Sequence, residues 1–109
     1  MSQGTKPRWK KMRTDESREV ERVLREKFPD TDAYRYNSAS IRVRIVDPRF
    51  DGKSTEERDA MVEPHLEKLP ERTQADIMNL VTLYPDETTK SFKALIANRE
   101  FEDPSKSML

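Results

Sequence analysis

The sequence predicts an α+β domain, and three observations lead there. Val20, Val23, Leu24 and Phe28 recur at three- and four-residue steps, the period of a helix that rests on a core. Ile41, Val43 and Ile45 alternate with Arg42 and Arg44, the period of a strand buried on one side. Segments of both kinds follow in the order helix, strand, strand, helix, short turn, strand, helix, which assembles as a three-stranded sheet with the helices packed on one face.

Residues 1–13 carry Lys6, Arg8, Lys10, Lys11 and Arg13 with no acidic residue before Asp15, and read as a flexible basic tail. Trp9 within it is suited to stack on a base, to pack on the domain, or to do neither. The domain itself is expected over residues 14–98. Its first helix runs from Thr14 to Phe28, with Arg18, Glu19, Arg22 and Glu26 on its outer faces. Thr14 or Asp15 caps it, Asp15 and Glu16 suit its positive end, and Pro29 closes it.

Tyr34 and Tyr36 alternate against Arg35 in the next segment, and the short polar "NSAS" joins it to "SIRVRIV" as a hairpin. Aliphatics point inward in this reading, and arginines outward. Pro48 ends the ladder, Gly52 frees a backbone position, and Ser54 with Glu57 three residues later makes a capping box. The helix that follows turns Met61, Val62, Leu66 and Leu69 inward, and Pro70 ends it. Pro64 deletes the bond to Ala60 and should kink or split it.

The segment from Arg72 to Glu87 reads two ways, with Gln74–Leu80 as a helical turn or Met78–Leu83 as a strand. We adopt a short helical turn over Glu71–Asp76 and a strand over Ile77–Leu83, stopped by Pro85. Phe92, Leu95 and Ile96 then share one stripe of a last helix, and residues 99–109 form a polar tail.

A length of 109 residues suffices for one small domain. With 33% hydrophobic and 39% charged residues it can bury one modest core. The absence of cysteine excludes disulfides, thiolate metal ligands and cysteine nucleophiles. No stretch has the apolar core of a signal peptide or the length of a membrane span, so a cytoplasmic protein is expected. Net charge is zero but unevenly spread. Arg35, Arg42, Arg44, Arg49 and Lys53 gather around the strands, while Glu56, Glu57, Asp59, Glu63, Glu67, Glu71 and Asp76 make the next region acidic.

The segment "RVRIVDPRFDGKSTEERDAMV" resembles the BolA family, whose members carry an aliphatic strand, a phenylalanine, "GKS" and then "ER". Val43, Ile45, Val46, Phe50, Asp51, Gly52, Lys53, Ser54, Glu57 and Arg58 stand at those positions, and Met61 and Val62 where the family has "LV". "LVTLYPDE" is similar to the family's last strand and its "TPEE" ending, and "LREKFPDTD" to the end of its first helix. The likeness spans about residues 15–90.

The resemblance implies a fold like a type II KH domain. It also implies two roles: partnership with monothiol glutaredoxins in iron–sulfur handling, and nucleic-acid-binding regulation. For the first, the family's metal-binding histidine after "ER" is replaced by Asp59, and its hairpin-loop cysteine or histidine has no counterpart in "YRYNSAS". A soft cluster prefers thiolate or imidazole, and His65 stands where the family has an ordinary alanine. No metal ligands and no cofactor are therefore expected. For the second, the only glycines are Gly4 and Gly52, so the GxxG loop of KH domains is missing.

The leading expectation is a non-enzymatic adaptor or regulator working through protein contacts, with Phe50, Gly52, Lys53, Arg58, Asp59 and Val62 at the contact and a monothiol glutaredoxin as a candidate partner. The alternative is a nucleic-acid-binding regulator using Lys53, Arg42, Arg44, Arg49, Tyr36 and the basic tail. The carboxylates Asp47, Asp51, Glu56 and Glu57 read as turn formers and helix caps, and no nucleophile–base pair, phosphate loop or dinucleotide fingerprint is recognisable. Neither a small-molecule substrate nor a membrane partner is indicated.

Overall fold

Strand alternation sets the frame of the molecule, a computed structural model that describes residues 7–107. Strands β1 (Thr31–Asn37) and β2 (Ser40–Val46) are antiparallel, β3 (Ile77–Leu83) runs parallel to β2, and the order across the sheet is β1-β2-β3. The hairpin turns at Ser38 and Ala39, where the Asn37 side-chain oxygen accepts from the Ala39 N–H at 2.8 Å. A parallel neighbour cannot be reached by a tight turn, so the chain crosses over through α2 (Thr55–Leu66) and α3 (Glu71–Asp76). With α1 (Asp15–Arg25) and α4 (Phe92–Glu102), four α-helices accompany the three-stranded mixed sheet, and the expected α+β class is observed.

The cap signals in the sequence are realised atom by atom. The Thr14 hydroxyl accepts from the Ser17 N–H, and Ser17 answers by accepting from the Thr14 N–H, which fixes the start of α1. Ser54 and Glu57 make the equivalent reciprocal pair at α2, at 3.1 and 2.8 Å. Pro64 does not split α2, which runs on to Leu66; the helix stops there, and Pro70 instead precedes α3. An exposed proline so near the C-terminal end removes one bond without breaking the turns before it.

Ile41, Val43 and Ile45 are fully buried on one sheet face, where Val20, Val23 and Leu24 of α1, Val62 of α2, and Phe28 and Phe50 join them in the main core. The other face is covered too, which corrects the expectation of helices on one face and arginines turned to solvent. α4 lies across it, packing Ala94 and Ala97 on Val46, Val81 and Leu83, and Phe101 on Tyr34 with ring centres 4.8 Å apart. The physical reason is that this face alternates arginine with Tyr34, Val46, Val81 and Leu83, too much apolar surface to leave wet. Arginine stems lie along the contact while their guanidiniums find acceptors on α4.

Both terminal expectations change with it. Residues 8–12 form a 3₁₀ helix (Arg8–Met12) rather than a tail, and Trp9, only 3% exposed, packs against Tyr34 and Phe101; residues 1–6 lie outside the described residues. α4 extends to Glu102, and the segment after it is held by Tyr36 donating to the Ser105 carbonyl and by Glu100 accepting from the Ser105 N–H at 2.9 Å. The inward stripe of α4 is Ala94, Ala97 and Phe101 rather than the expected Phe92, Leu95 and Ile96: Phe92 and Ile96 are exposed and Leu95 is half-buried.

Candidate functional site

Local geometry first disperses the residues that the sequence grouped. Phe50 and Val62 have no exposed surface, and Phe50 stacks on Phe28 with centres 5.8 Å apart. They build the core that holds the loop and offer nothing to a partner. Gly52, at φ 79°, sits in open space in the turn that its left-handed backbone permits. Lys53 is exposed beside it.

Arg58 is buried and already committed. It donates to the carbonyls of Lys53 (3.0 Å) and Thr82 (2.8 Å) and to the Glu87 carboxylate (2.8 Å), so that loop, strand and the turn after β3 are tied to one guanidinium.

The nucleic-acid set disperses further. Arg42 donates to Glu100 at 3.0 Å and its guanidinium lies 3.7 Å from the centre of the Tyr36 ring. Arg44 donates to Asn98 (2.8 Å), Glu102 (2.7 Å) and Asp32 (2.9 Å), with its side chain 11% exposed. Arg49 grips Asp47 at 2.8 Å and holds that carboxyl below its ordinary range. An outward basic sheet face, on which the sequence reading depended, is absent: α4 covers it. The missing signal was the second apolar set on the same strands.

Asp59 and His65, the residues nearest to a metal reading, do not converge. Six residues of α-helix turn them roughly 120° apart about the axis of α2. His65 meets Phe28 edge-on at 5.6 Å with its Nδ1 buried and unpartnered, and burial followed by Lys68, Lys27 and Arg49 pulls its pKa down. Asp59 has a buried, unpartnered Oδ1, and burial, then Glu63 and Glu56, pushes its carboxyl up. A carboxylate among carboxylates is a hard oxygen donor, and the residues here do not fit the iron–sulfur group that the resemblance implies. Among the described residues no cluster of three or more histidines and carboxylates is arranged to hold a metal ion.

What the fold does assemble is a slot of about 400 Å³ along the free edge of β3. Its floor is Asn79–Leu83, one wall is the start of α2 with Lys53, Ser54 and Arg58, and the other is the start of α4 with Ser91, Lys93 and Ala97. β3 is an edge strand, and no strand among the described residues pairs with its outer side. Peptide groups alternate in direction along a parallel strand. The Leu83 carbonyl accepts from the Asp47 N–H on the inner side, whereas the Thr82 carbonyl accepts from Arg58 on the outer side. That alternation aims the Thr82 N–H and both peptide groups of Leu80 into the slot.

Two lysines without a salt-bridge partner among the described residues stand in the slot's walls, beside the Arg58–Glu87 pair that also lines it. Arg13, Arg25, Arg35, Arg42, Arg44, Arg49 and Arg58 are all ion-paired, whereas no salt bridge among the described residues engages Lys53 or Lys93. Helix N-termini add partial positive charge at the starts of α2 and α4. Lys53 and the Ser54 cap beside it were legible in the sequence; Lys93, the Ser91 cap of α4 and the open edge were not.

No helix among the described residues is long and apolar enough to cross a membrane. No protein-family model, curated protein or solved structure matches the chain.

Proposed function

We propose that this chain is a BolA-like adaptor, a small non-enzymatic protein of the cytoplasm that acts through protein contacts and carries no iron–sulfur ligands of its own. Sequence support comes from "FDGKSTEERDAMV". Structural support comes from the antiparallel β1–β2 pair, the parallel β2–β3 pair and the capped α2 crossover, an arrangement in keeping with a type II KH-like fold. The observation that carries the reading is the unpaired β3 edge beside Lys53, since an open strand edge is a surface that pairs with another chain.

The monothiol glutaredoxin remains the first partner to try. Co-expression with it, followed by affinity capture with and without nuclease, tests the proposal. The expected result is a nuclease-resistant protein complex. Material that consists of nucleic acid and vanishes with nuclease would overturn it. The nucleic-acid alternative retains only Lys53 of its named side chains free, so the structure lends it no specific observation.

A further inference from the structure

An open parallel edge walled by two helices constrains its occupant more narrowly than a flat surface does. The two walls stand on opposite sides of the sheet plane, so what enters lies in that plane, as a further strand would. The floor spans Asn79–Leu83, about 16 Å of extended chain. Outward-facing peptide groups at Leu80 and Thr82 give such a chain donors and acceptors at strand spacing. Arg58 already occupies the Thr82 carbonyl from within, which limits pairing to a short stretch and guards the edge against indiscriminate addition.

Charge then selects among extended chains. Lys53 and Lys93 flank the floor from the two walls without a salt-bridge partner among the described residues, and the first turns of α2 and α4 line it. A second copy of this chain would bring "IMNLVTL", which has no carboxylate to offer them, and the segment before Pro7 has none either.

We propose that the β3 edge takes a short extended segment of a partner protein that carries acidic side chains, added as a fourth strand between α2 and α4 with its carboxylates on Lys53 and Lys93. The inference rests on the adaptor reading and names the chemistry of its partner. Main-chain pairing supplies the affinity and the two lysines the choice of segment.

The test is a titration of the isotope-labelled full chain with a soluble hexapeptide of alternating glutamate and valine, against its lysine–valine counterpart, followed by amide chemical shifts and hydrogen exchange. The expected result is that the acidic peptide shifts and protects the Leu80 and Thr82 amides while the basic one does not. Lys53→Glu with Lys93→Glu should weaken the acidic peptide at least tenfold and admit the basic one; both sites are exposed, and glutamate near a helix start is compatible with folding. Absence of shifts at Leu80 and Thr82 at millimolar peptide would overturn the inference, as would protection of those amides that grows with protein concentration alone, the mark of a second copy. Parallel capture of the glutaredoxin complex separates the two readings. A partner retained in full by the double variant leaves the adaptor standing and overturns the slot. Peptide binding without any captured protein overturns the adaptor and leaves the slot.

Discussion

Arg58 is the side chain on which the surroundings of the slot depend. One guanidinium serves the Lys53 carbonyl, the Thr82 carbonyl and Glu87, and Glu87 also accepts from the Tyr84 N–H at 3.0 Å. Removing one member of a buried pair leaves the other charged and dry, which costs about 3 kcal/mol. Arg58→Met should therefore lose about 3 kcal/mol in urea unfolding, and adding Glu87→Gln should recover part of it; a loss below about 0.5 kcal/mol, the size of an ordinary surface substitution, would contradict the arrangement. Asp59 presents the opposite case, a carboxylate whose burial, and then its neighbours Glu63 and Glu56, disfavour its charge. Its folded-state pKa lies above the unfolded value, so the penalty on the ionised form is present at neutral pH and relieved as pH falls through the folded pKa. Asp59→Asn should stabilise the protein at pH 7 by about 0.5–1 kcal/mol, the sum expected for two like-charge helix pairs. That gain should disappear at pH 3, and a gain independent of pH would show that packing rather than charge is responsible.

At the scale of elements, the N-terminal 3₁₀ helix and α4 form one layer. Trp9 sits 5.5 Å from Phe101 and 6.2 Å from Tyr34, ring centre to ring centre, and the Arg13 guanidinium lies 4.7 Å from its ring. Arg13 then reaches Glu21 of α1 and Asp32 of β1, at 3.0 and 3.3 Å, so the layer is bonded to the rest through charge as well as through aromatic contact. A large aromatic truncated in such a site costs about 3 kcal/mol. Trp9→Ala should lower the urea midpoint accordingly, measured by far-UV circular dichroism; an unchanged midpoint would mean that this segment contributes no more than a tail. Because α4 also forms one wall of the slot, the same variant should loosen Lys93 and weaken binding of the acidic hexapeptide.

For the whole molecule, the consequence is cooperativity across the sheet. The main core lies between the sheet and the helices α1 and α2, while a second apolar layer lies under α4. Arg44 bridges β1, β2 and α4 through Asp32, Asn98 and Glu102, and Arg35 ties β1 to α1 and α3 through Glu16 and Asp76. Trp9, the single tryptophan, reports on the α4 side alone. Unfolding followed by its fluorescence and by circular dichroism should give coincident transitions. Fluorescence changing first would mean that α4 and the N-terminal turn open as a separate unit.

By itself the sequence determined the main elements and the capped starts of α1 and α2, but not the N-terminal 3₁₀ helix or the ends of α1, α2 and α4. Thr14 with Ser17 and Ser54 with Glu57 satisfy amides within three residues of themselves, and the alternation Ile41, Val43, Ile45 needs only a strand to be read. Even the short helix Glu71–Asp76 and the strand Ile77–Leu83 follow from local pattern. Candidate site residues fared differently, since Phe50, Val62 and Arg58 lie in one sequence motif yet are all buried, and only Gly52 and Lys53 of that group stand fully on the surface. What decides between exposed and covered arginine is the partner across the sheet, and that partner arrives from 54 to 58 residues away in the chain. Periodicity states which side chains share a face; it does not state whether a helix will cover that face. Only the tertiary structure decided that α4 would neutralise Arg42 and Arg44 and leave Lys53, Lys93 and the outer edge of β3 open, because burial and ion pairing are properties of elements brought together and not of any one of them.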